Sequence, residues 1–437
     1  MKTTYSLLFS LTLALTLRTA LAGNDGNAIR QGRLLLTDVI RVVAENNPSI
    51  KAAEERWQAM KARVPQAAAW EDLRLQGDSR VERFVAIPPT AFTDQLVMLE
   101  QELPITGRNR SRARAATADA GAAFEDLRRT EIDVLSRARS AYYRLATEEA
   151  QLEVNRRNVE LLNQFAEISR ARYEVGSASE ADVLMAKTDA AKLLEAQSDI
   201  LRRVSDAQTQ VNVLMNRPAQ DPLGRPISIT FEPARLSLSS MQQFALHARP
   251  EVQRAQNQIE AAKSRVQLAN RQWISDPALN VKAQRYNDAS QTVSELDVGV
   301  SIGLPFLNPK KYSAGVTEAE RNLGAAQREF EAVSNEALGL VRDQIKKVET
   351  AAHHYELYRN KILPLARQTV QANRSSYEAS NATFLELIAS QRVLQDVESA
   401  YVNHLADYQI ALAELRAIVG AEDPPFSGRS STQKRSK

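Results

Sequence analysis

The sequence predicts a mainly α-helical fold built from two copies of one unit, each pairing long helices with a β-hairpin. Three observations predict it. Residues recur at an offset of about 201 to 204: Asn47-Pro48 with Arg249-Pro250, Lys61-Ala62-Arg63-Val64 with Lys263-Ser264-Arg265-Val266, and Glu102-Leu103-Pro104 with Gly303-Leu304-Pro305. Tyr173-Glu174 matches Tyr377-Glu378, and Leu214-Met215-Asn216 matches Ile418-Val419-Gly420. Matches at both ends and in the middle mark a duplication. Proline is absent between Pro104 and Pro218, and after Pro309 only Pro364 intervenes before Pro424. An interior proline costs a helix about 3 kcal/mol, so these stretches read as very long helices. Ahead of each lies a segment whose apolar residues alternate with period two, the signature of strands.

In chain order, residues 1–22 read as a cleaved secretory signal. Lys2 is its positive start, Leu7 to Leu17 its apolar run and Ala20-Leu21-Ala22 its small-x-small cleavage site. The run of about 11 residues is too short to span a bilayer. Residues 23–34 form an N-terminal extension. The first copy, 35–217, opens with a helix from about Leu35 to Trp70. A hairpin over 73–103 follows, with strands Leu73 to Phe84 and Thr93 to Leu103 and a loop at Ile87-Pro88-Pro89. Ile105 to Arg172 then reads as one helix of about 68 residues, roughly 100 Å long at 1.5 Å per residue. That length implies an elongated rod or tube. Ile132, Leu135, Ala138, Tyr142, Leu145, Leu152, Val159, Leu162 and Phe165 follow three-four spacing along it. A tip turn at 173–183 leads to a return helix.

A linker, 218–236, joins the second copy, 237–420. Its first helix spans Met241 to Trp273, its hairpin 278–304 and its tip turn 377–387. On one strand Leu296, Val298, Val300 and Ile302 alternate with Glu295, Asp297 and Ser301. On the other, Leu279, Val281 and Ala283 alternate with Asn280, Lys282 and Gln284. Such alternation suits a half-buried soluble sheet or a lipid-facing barrel wall, and taken alone the soluble sheet is the commoner answer. Leu387, Leu394, Tyr401, Tyr408 and Leu415 repeat every seven residues, which implies helices packed at a shallow angle. The polar tail, 421–437, is expected to be disordered.

Composition narrows the function. Aromatics make up 6% of the chain and the net charge is +3, so no strong field argues for nucleic acid. With no cysteine, the fold holds no disulfide, thiolate ligand or thiol nucleophile. No Gly-rich phosphate loop, Gly-x-Ser-x-Gly elbow or HExxH pair occurs, so no catalytic residue, cofactor or enzyme class is expected. His353 and His354 are neighbours that face different ways on a helix, and His247 and His404 have no partner in sequence, so no metal site is expected either.

The tip turns carry the most specific sequence. In the first, Arg172-Tyr173-Glu174-Val175-Gly176-Ser177-Ala178-Ser179-Glu180-Ala181-Asp182-Val183-Leu184, Gly176 supplies the left-handed helix stop. Ser179 caps the next helix, with Asp182 completing a capping-box-like arrangement. In the second, Tyr377-Glu378-Ala379-Ser380-Asn381-Ala382-Thr383-Phe384-Leu385-Glu386-Leu387, Ser380 or Asn381 replaces the glycine and Thr383 is the cap. A plain helical hairpin would use these residues in the same way.

These turns, with Ile362-Leu363-Pro364-Leu365-Ala366, resemble the TolC-type outer-membrane efflux proteins, over the mature chain to about Gly420. The resemblance implies a trimer in which each protomer gives four strands to a shared twelve-stranded outer-membrane barrel, continued by a long periplasmic helical tube. The implied function is the passive exit duct of a tripartite efflux system in a Gram-negative bacterium. An inner-membrane pump and a periplasmic adaptor supply the cargo, metal ions or drugs, and the chain looks most like the heavy-metal branch. The missing lipidated cysteine departs from many copper-type and multidrug relatives.

By the same resemblance, Arg172, Tyr173, Glu174, Val175, Gly176, Ser177, Ser179, Asp182, Val183 and Leu184 form one adaptor-docking tip. Tyr377, Glu378, Ser380, Asn381, Thr383 and Leu387 form the other. Glu386 takes the place of the first aperture-gating carboxylate, and Ala389 stands where the second would be. Arg108, Arg110, Arg112, Arg114, Lys310 and Lys311 follow the second strand of each hairpin, where they can meet outer-membrane lipid phosphates. Solvated charges at a helix start are the commoner explanation of these basic residues, and an exposed helix-surface carboxylate would explain Glu386 equally well. The competing function is a soluble periplasmic coiled-coil scaffold or adaptor.

Overall fold

A computed structural model of the chain describes residues 32–81, 92–287 and 292–421. The signal, most of the N-terminal extension, the Ile87-Pro88-Pro89 loop and the tail beyond Ala421 lie outside the described residues. In order, the elements are β1 (Arg33–Leu34), α1 (Leu36–Asn46), α2 (Pro48–Ala68), β2 (Arg74–Val81), β3 (Phe92–Glu102), α3 (Arg108–Glu174) and α4 (Glu180–Leu214). After β4 (Arg225–Pro226) the pattern repeats as α5 (Leu238–Ala248), α6 (Pro250–Arg271), β5 (Ala278–Asn287) and β6 (Thr292–Ser301). It ends with α7 (Pro309–Leu357), a π-helical turn (Tyr358–Ile362), α8 (Leu363–Glu378) and α9 (Phe384–Val419).

The predicted long helix is present as α3, 67 residues without a break. Two other expectations need correction. The helices predicted over 35–70 and 241–273 are each interrupted, at Asn47 and Arg249, both of which adopt extended backbone. Each precedes a proline, whose ring disfavours helical geometry in the residue before it. Asn47 also accepts from the Ser49 N–H at 2.9 Å, capping the helix that follows. Pro364 behaves in the opposite way. The π-helical turn just before it, closed by the Leu363 N–H bonding to the Tyr358 carbonyl, widens the helix where the proline ring needs room, so the chain stays helical through it.

The chain divides into two compact units. One comprises Ala53–Arg128 and Pro250–Asn335, the other the described parts of Met1–Ala52, Arg129–Arg249 and Glu336–Lys437. In the first, the hairpins join edge to edge into one antiparallel sheet in the order β2-β3-β5-β6. Gly107, with φ of +75°, turns the chain from β3 into α3. The second unit is a helical bundle. The predicted seven-residue series is its seam, with Leu387, Leu394, Tyr408 and Leu415 buried on α9. Of the three-four series on α3, Leu135, Ala138, Tyr142, Leu145, Leu152, Leu162 and Phe165 are buried. A short parallel pairing of β1 with β4, absent from the sequence reading, ties the extension to the linker. Leu34 is buried there, and its carbonyl accepts from the Tyr142 hydroxyl at 3.0 Å.

Candidate functional site: the sheet faces and the helical tips

Register and alternation give the sheet two unlike faces. Leu75, Leu99, Val281 and Val298 form one cross-strand row, with Gly77, Val97, Ala283 and Leu296 the next on the same face. The opposite face carries Gln76, Met98, Lys282 and Asp297 in one row and Asp78, Leu96, Gln284 and Glu295 in another. Its polar groups pair across strands: Arg74 with Glu100 at 3.3 Å, Lys282 with Asp297 at 3.6 Å, and Gln284 donating to Glu295 at 2.7 Å.

Exposure decides between the two readings of this sheet. A soluble sheet hides its apolar face, but here Leu75, Leu296, Val298 and Val300 are 72, 71, 68 and 69% exposed. On β3, Val97 and Leu99 are exposed whereas Leu96, Met98 and Glu100, on the polar face, are half-buried. Apolar outside and polar inside is the pattern of a strand wall in lipid. Among the described residues no helix is long and apolar enough to cross a membrane.

The basic residues beside the sheet divide. Arg108 lies 3.8 Å from the buried Asp276 and donates to the Gln272 carbonyl, and Arg112 pairs with Glu71 at 3.2 Å. Both thus brace the start of α3 against the segments leading into β2 and β5, a structural role the sequence reading did not give them. Arg110, Arg114, Lys310 and Lys311 are exposed. Trp70, 62% exposed, and Trp273 precede β2 and β5 at the same end of the sheet.

The two helical tips end alike. Ser177 N–H bonds back to the Arg172 carbonyl and Asn381 N–H to the Ser376 carbonyl, each at 2.8 Å. Gly176 and Ser380 hold the left-handed position, at φ of +76° and +66°. Serine, rather than Asn381, therefore replaces the glycine. Arg170–Glu174 and Arg374–Glu378, at 3.2 and 2.9 Å, repeat one ion pair in both copies.

The caps differ from expectation. Ser179 caps α4, accepting from the Asp182 N–H, but the Asp182 carboxylate takes the hydroxyls of Ser179 and Tyr377 at 3.0 and 3.3 Å instead of closing a capping box. The full capping box forms in the second copy, where Glu386 accepts from the Thr383 N–H at 2.9 Å and Thr383 accepts from the Glu386 N–H. Glu386 and Ala389 also line an open groove of about 350 Å³ between α8 and α9.

Side chains from the first tip hold the second. Arg172 donates to Ser380 Oγ at 2.8 Å and to the Ser177 carbonyl, and lies 4.4 Å over the Tyr377 ring. Tyr377 is buried edge-on to Phe384, with its hydroxyl also within reach of Ser169 Oγ at 3.2 Å. Burial raises its pKa, the Ser169 hydrogen bond opposing and the Asp182 carboxylate reinforcing the shift. Farther along, Arg392 on α9 grips Asp189 on α4 through both carboxylate oxygens, at 3.1 and 2.8 Å. The sequence offered no signal for this pair, which lies 203 residues apart. Of the residues assigned to docking, Val183, Tyr377 and Leu387 are buried, and their work is packing. Tyr173, Glu174, Val175, Gly176, Ser177, Ser179, Leu184, Glu378, Ser380, Asn381 and Thr383 are exposed.

Comparison with known proteins fits this geometry. The sequence profile described as outer membrane efflux protein matches residues 39–217 and 242–421, once in each copy. The chain belongs to this family. It is 21% identical over 387 residues to the probable efflux pump outer membrane protein TtgC of Pseudomonas putida, covering 84% of this chain and 79% of that protein. Similarity of 21% over 416 residues extends to the alkaline protease secretion protein AprF of Pseudomonas aeruginosa, covering 89 and 85%. Among solved structures, the outer membrane protein VceC of Vibrio cholerae superposes with a TM-score of 0.73 at 19% identity, covering 88% of this chain and 96% of that one. CusC gives 0.74 at 17%, covering 88 and 92%. Membership places the chain in the outer membrane as an efflux exit duct, which sets aside the soluble scaffold.

Proposed function

We propose that three copies of this chain close a twelve-stranded barrel that passively conducts solutes out of the cell. The observation that carries this is the outward apolar sheet with two unpaired edges, β2 and β6. Unpaired backbone N–H and C=O groups in hydrocarbon cost several kcal/mol each, so a four-stranded sheet cannot stand alone in lipid. Pairing β6 of one copy with β2 of the next removes every edge once the ring closes, and threefold closure gives an even strand number. The test is fractionation. A heat-modifiable trimer should appear in the outer-membrane fraction, and a soluble monomer alone would overturn the proposal.

At the tips, the exposed turn residues of both copies present the docking surface for a periplasmic adaptor, which links the duct to an inner-membrane pump. Glu386, brought close to its symmetry mates around a narrow axis, would form a ring that repels itself and attracts cations. The braces Arg172–Ser380, Tyr377–Asp182 and Arg392–Asp189 join the two tips of one chain, so a gating movement of one tip against the other would have to release them. Arg110, Arg114, Lys310 and Lys311 meet lipid phosphates and, with Trp70 and Trp273, set the depth of the barrel. Transport of this kind needs no catalytic residue and no cofactor. The pump selects the cargo. Deleting the gene and testing sensitivity to zinc, cobalt, cadmium, copper and organic drugs reads it out, and sensitivity to drugs alone would overturn the heavy-metal leaning.

A further inference from the structure

The fold gathers three of the chain's four histidines at one place on the helical bundle. His354 on α7 and His404 on α9, fifty residues apart in sequence, have ring centroids 5.4 Å apart, and His353 lies 6.3 Å from His354. Metal–nitrogen bonds of 2.0–2.1 Å place each ring centroid about 3.2 Å from a shared ion, so two imidazoles can grip one ion when their centroids are within about 6.4 Å. The His354–His404 pair meets that limit with room for a bent N–metal–N angle, and His353 stands at its edge. Asp407 Oδ2 lies 3.8 Å from His404 Nδ1. At that distance the carboxylate makes no hydrogen bond, but its charge favours the proton on Nδ1 and leaves the Nε2 lone pair for a metal. The edge of the Tyr358 ring packs on His404 at 4.7 Å and limits its rotation. His353 and His354 are exposed, so an ion can enter from solvent.

We propose that His354 and His404 form a binding site for a first-row divalent ion that favours imidazole, such as zinc, nickel or copper(II). Among the described residues no three His, Asp or Glu side chains converge on one point. The site is therefore an open one, two imidazoles completed by water, with Asp407 as the orienting group. No spacing along a single helix marks this pair in the sequence, because it lies across two helices.

The test uses the full-length, untagged chain in detergent micelles, titrated with zinc alone by calorimetry. One zinc per chain is expected. His354→Gln and His404→Gln should each weaken binding at least tenfold, and Asp407→Asn severalfold, with thermal melting unchanged in the absence of metal. His247→Gln should bind as the parent does, and His353→Gln within about threefold of it. Zinc binding unaltered in both His354→Gln and His404→Gln would overturn the site, as would no saturable binding by the parent chain. Neither result bears on barrel closure, which is read from the trimer.

Discussion

Glu386 closes a capping box and, in the duct proposed above, also carries the aperture charge, and a conservative substitution separates the two. Its carboxylate closes the capping box on Thr383. Glutamine keeps an oxygen for that N–H but carries no charge. Glu386→Gln should therefore leave the thermal midpoint of the trimer unchanged while weakening block of the conducting pore by multivalent cations. Glu386→Ala should lose the cap as well, at about 1 kcal/mol, and lower the midpoint. Equal cation block in parent and Glu386→Gln would remove Glu386 from the aperture. Tyr377 poses a similar question. Its buried hydroxyl is shared between Ser169 and Asp182. Tyr377→Phe should cost about 1 kcal/mol of stability and loosen the tip, measured as increased passage of large antibiotics into cells. Unchanged passage would leave Tyr377 as packing alone.

At the scale of elements, the sheet gives the sharpest prediction. Val298 sits in the middle of the apolar β6 series, where a basic residue in a lipid-facing strand costs about 2–4 kcal/mol. Val298→Arg should deplete trimer from the outer-membrane fraction, whereas Asp297→Asn, on the polar face, should not. Equal depletion by both would mean that the faces are assigned wrongly. The strands themselves were legible, because period-two alternation survives in the residues whatever surrounds the sheet. Which environment faced the apolar side was not legible: alternation is the same for a core and for lipid, and only exposure separates them. Prolines were legible as punctuation but not in their effect. Pro48 and Pro250 break their helices, while Pro364 is absorbed by a π-helical turn, a difference set by local backbone hydrogen bonding that residue type does not encode.

For the whole molecule, the duplication was readable because matching residues survive along both copies, from Asn47-Pro48 and Arg249-Pro250 to Tyr173-Glu174 and Tyr377-Glu378. Contacts between copies were not. Arg392–Asp189 and Arg172–Ser380 join residues 203 and 208 positions apart, and no local period marks them, nor the His354–His404 pair within the second copy. The β1–β4 pairing is two residues long on each side, too short for any pattern to show. The central claim, that copies close a barrel through β2 and β6, rests on the same kind of distant pairing. These strands occupy opposite edges of one chain's sheet, so they meet only between copies. The chain contains no cysteine, which makes cross-linking clean. The most direct measurement places one cysteine at Gln76 on β2 and a second in turn at Glu295, Asp297, Gly299 or Ser301 on β6, then oxidises outer membranes. The account predicts that at least one pair yields a covalent species that stops at three chains. Absence of any cross-link across the series, or a ladder running on past three, would contradict it.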